Sequence, residues 1–166
     1  MAKEQVITFN SSVEVGLRTL VLLDEAFPIA FSLSRLVVFD YLLVHSDDVE
    51  GGPDGLHPQT PHRSGELLVR RQFIQQGIRL YESRQLLIRS FEDTGITFQA
   101  TDASTVFLDS LSSPYSLKLR DRGEWVIKEF GQVSDEDLSA FARVNLGRWG
   151  AEFESESVLW QEEWNV

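Results

Sequence analysis

The sequence predicts a mostly α-helical protein with a small β-hairpin: a winged helix-turn-helix-like core followed by C-terminal helices. Three observations carry this expectation. Apolar residues recur at three- and four-residue spacing in segments before residue 45 and again after residue 64, the period of helices with one buried face. Directly after the third helical segment, two short runs of β-formers flank Glu92-Asp93-Thr94-Gly95. The chain has 166 residues, 42% of them hydrophobic and 25% charged, which suits one self-sufficient core, since a chain of this size buries about 70% of its unfolded surface. Helix, helix, amphipathic helix, hairpin is the order of a winged helix-turn-helix, with the third helix in the recognition position and residues 86–100 as the wing.

Each element has a local reason. Asn10, Ser11 and Ser12 offer N-caps to a first helix whose Val13, Leu17, Leu20 and Leu23 continue until Pro28 breaks the pattern. A second helix starts from a cap at Ser32 and runs through Leu33, Leu36, Val37, Tyr41 and Val44. It is apolar nearly all round apart from Asp40, which marks it as the buried central helix. Residues 46–63 hold three glycines and three prolines without periodicity, a loop long enough to be functional or mobile. Ser64 caps a third helix to about Ser83. Val69, Phe73, Ile74, Ile78, Leu80 and Tyr81 fall on one side of it, and Arg71, Gln72, Gln75, Gln76 and Arg79 on the other. Arg70 lands inside the apolar arc and needs a carboxylate, within the chain or on a partner protein that covers it, whereas Arg71, about 100° further round, is expected to reach outward.

Gly95 can take positive φ in the hairpin turn. Asp102 is the expected cap of a short helix through Val106, Leu108 and Leu111. Ser113-Pro114 opens another, with Tyr115, Leu119, Val126 and Phe130 on one face and Gly131 as its stop. Ser134 with Asp137 forms a near capping box for a helix carrying Leu138, Phe141 and Ala142. The expected division is a winged-helix-like domain over 1–131 and a C-terminal helix with an acidic, tryptophan-rich tail over 132–166.

Composition narrows the function. Zero cysteines excludes disulfides, thiolate metal sites and thiol catalysis. The net charge of −11 opposes a general nucleic-acid or anionic-membrane binder. That charge is uneven: residues 1–60 and 132–166 are acidic, while Arg63, Arg70, Arg71, Arg79, Arg84 and Arg89 cluster between them. No signal peptide is visible, and the most apolar run, Leu36 to Val44, is far shorter than the ~20 residues of a membrane helix. A soluble cytoplasmic protein is the expectation. No nucleophile elbow, phosphate loop, dinucleotide fingerprint or zinc-protease motif occurs, so the chain is expected not to be an enzyme and to carry no cofactor.

Three features admit two readings each. His45, Asp47, Asp48, Glu50, Asp54, His57 and His62 could ligate zinc or manganese, but an irregular loop lacks the helical spacing that fixes ligand geometry, so a solvated or docking loop and no metal is expected. The third helix offers Arg and Gln, which suit guanine and adenine edges, or else a surface for another protein. In the tail, Trp160 and Trp164 stand one helical turn apart among glutamates. They either pack on the domain or anchor a partner.

Several stretches bear on the choice: Leu22-Leu23-Asp24-Glu25-Ala26-Phe27-Pro28, Arg35 through Ser46, the run His57-Pro58-Gln59-Thr60-Pro61-His62-Arg63-Ser64-Gly65-Glu66-Leu67-Leu68-Val69-Arg70-Arg71, and Phe107-Leu108-Asp109-Ser110-Leu111 with Ser113-Pro114-Tyr115. Together, over about residues 6 to 137, they resemble the middle component of prokaryotic ABC-three-component conflict systems, which include Lamassu-type phage defence. The resemblance implies a small non-enzymatic subunit that joins an SMC/Rad50-like ABC ATPase to an effector protein, often a nuclease, and meets DNA at most indirectly. It supplies no catalytic residues. The candidate partner-binding residues are His57, His62, Arg63, Arg70, Arg71, Gln75, Arg79, Trp160 and Trp164. A winged-helix transcriptional regulator remains the alternative, with the terminal helices available for dimerisation.

Overall fold

The computed structural model describes residues 11–58 and 66–145. Among them, six α-helices and a three-stranded antiparallel sheet follow the order α1 (Ser12–Glu25), β1 (Phe31–Ser32), α2 (Leu33–Val44), α3 (Glu66–Ser83), β2 (Leu87–Glu92), β3 (Gly95–Ala100), α4 (Asp102–Asp109), α5 (Pro114–Phe130) and α6 (Asp135–Asn145). The strand order is β1-β3-β2. None of the described helices is long and apolar enough to cross a membrane.

Serine hydroxyls start most of the helices. Ser11, Ser32 and Ser113 accept from the N–H groups of Glu14, Arg35 and Ser116, and Ser134 accepts from Asp137. Each bond satisfies a donor that the first turn leaves unpartnered. Asp102 does not act as the cap of α4. It sits in the first turn, where its charge favours the helix dipole, and Thr101 holds the cap position while donating its hydroxyl to the Gln85 carbonyl at 2.7 Å.

The hairpin runs in register from Leu87↔Ala100 to Glu92↔Gly95, and Gly95 has φ of 127°. The third strand, β1, is a finding that periodicity could not supply, since two residues hold no pattern. Phe31 pairs with Phe98 and Ser32 with Thr97, which ties the α1–α2 connection to the sheet.

Leu36 to Val44 is buried without a break, so α2 is the core axis that the apolar run predicts. Around it pack Leu20, Leu22 and Leu23 of α1, Ile74, Ile78 and Tyr81 of α3, Leu119, Val126 and Phe130 of α5, and Leu138 and Ala142 of α6. The α1–α3 crossing is unusually close. A Cβ on Gly77 would lie 2.6 Å from the Gly16 Cα, so both helices need glycine there. Arg35 staples α6 to the body: its guanidinium lies over the Phe31 and Phe39 rings, pairs with Asp135 at 2.8 Å and donates to the carbonyls that end α5.

The first part of the long loop is built. Ser46–Asp48 forms a single 3-10 turn, the N–H groups of Leu56 and His57 both reach the Val44 carbonyl, and Ser46 Oγ and Arg122 Nε both donate to the Asp54 carbonyl. The expected cap at Ser64 lies outside the described residues.

Candidate functional site

The chemistry-bearing side chains collect where α1, α2, α3, α5 and the loop meet. Asp40 of α2 is fully buried (0% exposed). Arg18 of α1 grips it with Nε on Oδ1 at 2.7 Å and Nη2 on Oδ2 at 3.0 Å, while Arg70 of α3 donates Nη1 to Oδ2. Burial alone would raise the Asp40 pKa. The two guanidiniums outweigh it and hold the carboxyl down to about 2. Arg70 also lies over the Tyr41 ring, 5.6 Å from its centroid. The carboxylate that Arg70 requires is therefore internal.

Beside this hub lies an aromatic layer. His57 Nε2 is 2.7 Å from the Tyr115 hydroxyl and the two rings are nearly parallel. His45 sits 4.9 Å from the Tyr41 ring and 6.4 Å from His57, and the Tyr41 hydroxyl donates to Asp48. Burial, then the Arg18 charge, pushes the His57 pKa down to about 4, and burial pushes Tyr115 up to about 12. Both rings are neutral at pH 7, so the pair is a hydrogen bond between neutral groups that fastens the loop to α5. Among the described residues, no three His, Cys, Asp or Glu side chains gather as a metal site would require.

The candidates thus divide. His57 and Arg70 are interior or half-interior anchors. Arg71 is a correction: it is 6% exposed, not directed outward. The helix packs against α1 and α2 at once, so its buried arc is wider than one apolar stripe and takes in the next residue round. Gln72, Gln76 and Arg79 do face solvent, with Gln75 half-buried between them. His62, Arg63, Trp160 and Trp164 lie outside the described residues. Sequence reasoning left Arg18 and Tyr115 out of the site altogether. The available signal was Asp40, an acid in the middle of the most apolar helix, which has to be paired to be buried.

Two properties follow from this arrangement. The buried ions and the aromatic hydroxyls bond to one another and tie α1, α2, α3, α5 and the loop together. Among the described side chains of α3, Gln72, Gln76 and Arg79 are left as an outward hydrogen-bonding surface. Residues 8–152 match the family model of the ABC-three component (ABC-3C) system Middle Component 2. No curated protein and no solved structure matches the chain.

Proposed function

The chain belongs to the Middle Component 2 family of ABC-three-component systems, and on that premise we propose that it is a non-enzymatic adaptor joining an SMC/Rad50-like ABC ATPase to an effector in a Lamassu-type defence complex in the cytoplasm. The observation that carries this reading is the extent of the family match, which takes in every described element from α1 to α6. The interior supports it. The ion network and the aromatic pair bond within themselves, as in a scaffold, and the outward stripe of Gln72, Gln76 and Arg79 on α3 offers amides and a guanidinium, which bind rather than react. We read the core as winged-helix-like, because β2 and β3 follow α3 and β1 joins them between α1 and α2.

Co-expression with the ATPase and effector of its own system tests the adaptor. The tagged chain should recover both partners, and Gln76→Glu with Arg79→Glu should reduce that recovery while leaving the melting temperature in place. Elution of the tagged chain alone from cells making all three proteins sinks the reading. The regulator alternative keeps one observation in its favour: Gln72, Gln76 and Arg79 project from the same face of α3, the side chains that read adenine and guanine.

A further inference from the structure

β2 is the outer strand of the sheet, and nothing among the described residues pairs with its far side. The Thr101 N–H bonds the Leu86 carbonyl at 3.0 Å, which sets the phase of the ladder. The even-numbered residues Ile88, Ser90 and Glu92 therefore bond inward to Gln99, Thr97 and Gly95, and the backbone groups of Arg89 and Phe91 point away from the sheet. The strand Leu-Ile-Arg-Ser-Phe-Glu contains no proline, lysine or bulge to guard its edge; its charges are Glu92 and Arg89, the latter already paired with Glu82 at 2.8 Å. It carries instead two of the exposed large apolar side chains, Ile88 at 47% and Phe91 at 77%. Phe91 lies on the same face as the buried Leu87 and next to Ile96, so it prolongs the core face beyond the core.

We propose that this edge pairs antiparallel with β2 of a second copy of the chain, about a two-fold axis through Ser90. The occupant follows from the strand's own sequence. Read against itself about Ser90, the strand sets each Phe91 opposite the partner's Arg89, whose guanidinium already lies 5.7 Å from the Phe98 ring centroid, so the arrangement extends a cation–aromatic row. Glu92 falls opposite Ile88, and the small Ser90 meets its own copy at the close-approach, non-hydrogen-bonded position. Four backbone hydrogen bonds form, two from each Arg89–Phe91 pair. Sliding the axis to Arg89 would set two guanidiniums face to face, which cross-strand pairing disfavours. The contact is isologous and closes at two. Six residues a side make it small, so it is a weak dimer that the −11 charge of each chain opposes and salt strengthens.

The absence of cysteine from the chain gives a direct test. In the full chain, Ser90→Cys brings the two new thiols to within disulfide reach across the axis, where Cα atoms are about 4.5 Å apart. Ile88→Cys, on the same strand face, leaves its thiols about 13 Å apart. Under mild oxidation at a concentration on the order of 100 µM, Ser90→Cys should give at least about five times the covalent dimer of Ile88→Cys. Adding Phe91→Lys, at a site exposed enough to leave the fold intact, should bring it down to the Ile88→Cys level. Equal yields for the two cysteines, or a Ser90→Cys yield indifferent to Phe91→Lys, overturn the proposal.

Discussion

Asp40 shows how one residue can set the character of a helix. Its neighbours would pack in any core, but a carboxylate at 0% exposure is tolerable only because Arg18 and Arg70 neutralise it from two other helices. Asp40→Asn leaves two buried guanidiniums without their anion and should lower unfolding free energy by about 3–5 kcal/mol in urea titrations. Arg70→Ala should act in the same direction, and Arg79→Ala on the exposed side of the same helix should stay within about 0.5 kcal/mol. His57 adds a pH dependence. Its folded pKa of about 4 lies below the ordinary 6.5, so the unfolded chain binds the extra proton first. The His57 contribution is complete above pH 6.5 and is lost as the pH falls towards 4. Asp40 follows only between 3.8 and about 2. Glu14 and Glu25, both raised chiefly by burial, work against the histidine in the upper window. The test is therefore the difference between wild type and His57→Gln in melts from pH 7 to 4. Wild type should lose more stability on acidification, and parallel curves would remove His57 from the account.

At the scale of elements, the sequence was most readable where a single local rule decides the outcome. Ser11, Ser32, Ser113 and Ser134 cap the helices they were expected to cap, and the Gly95 hairpin forms in place. The failures have tertiary causes. β1 exists because Phe31 and Ser32 find β3, a contact invisible to periodicity. Arg71 turns inward because α3 is wedged between two helices. The site was legible in half: Arg70's need for a carboxylate could be read from its position on the wheel, but which carboxylate depended on how three helices cross. The crossing itself turns on glycine. Gly77 lies against the Gly16 backbone and Ser12 carbonyl, so Gly77→Ala, which would gain up to about 1 kcal/mol in a free helix, should instead destabilise by about 1–3 kcal/mol through overpacking. Denaturant unfolding against Gln76→Ala, one residue away and exposed, separates the two effects. A neutral Gly77→Ala would mean that α1 and α3 are free to part.

At the scale of the whole molecule, charge sets the terms on which α3 can meet a partner. The chain carries −11, and its outward stripe of Gln72, Gln76 and Arg79 brings a single cation among amides. Nucleic-acid affinity is dominated by phosphate neutralisation, which a protein of this balance supplies poorly. A protein partner makes different demands: amides and one guanidinium can hydrogen-bond in an interface whose core is formed elsewhere. The isolated chain should therefore bind duplex DNA weakly and without sequence preference. The shallow slope of log affinity against log salt should correspond to about one or two phosphate contacts, and Arg79→Ala should flatten it further. Fluorescence anisotropy across a salt series measures both quantities. Submicromolar, sequence-selective binding at physiological salt would mean that α3 reads bases on its own, and it would favour the regulator reading over the proposed adaptor.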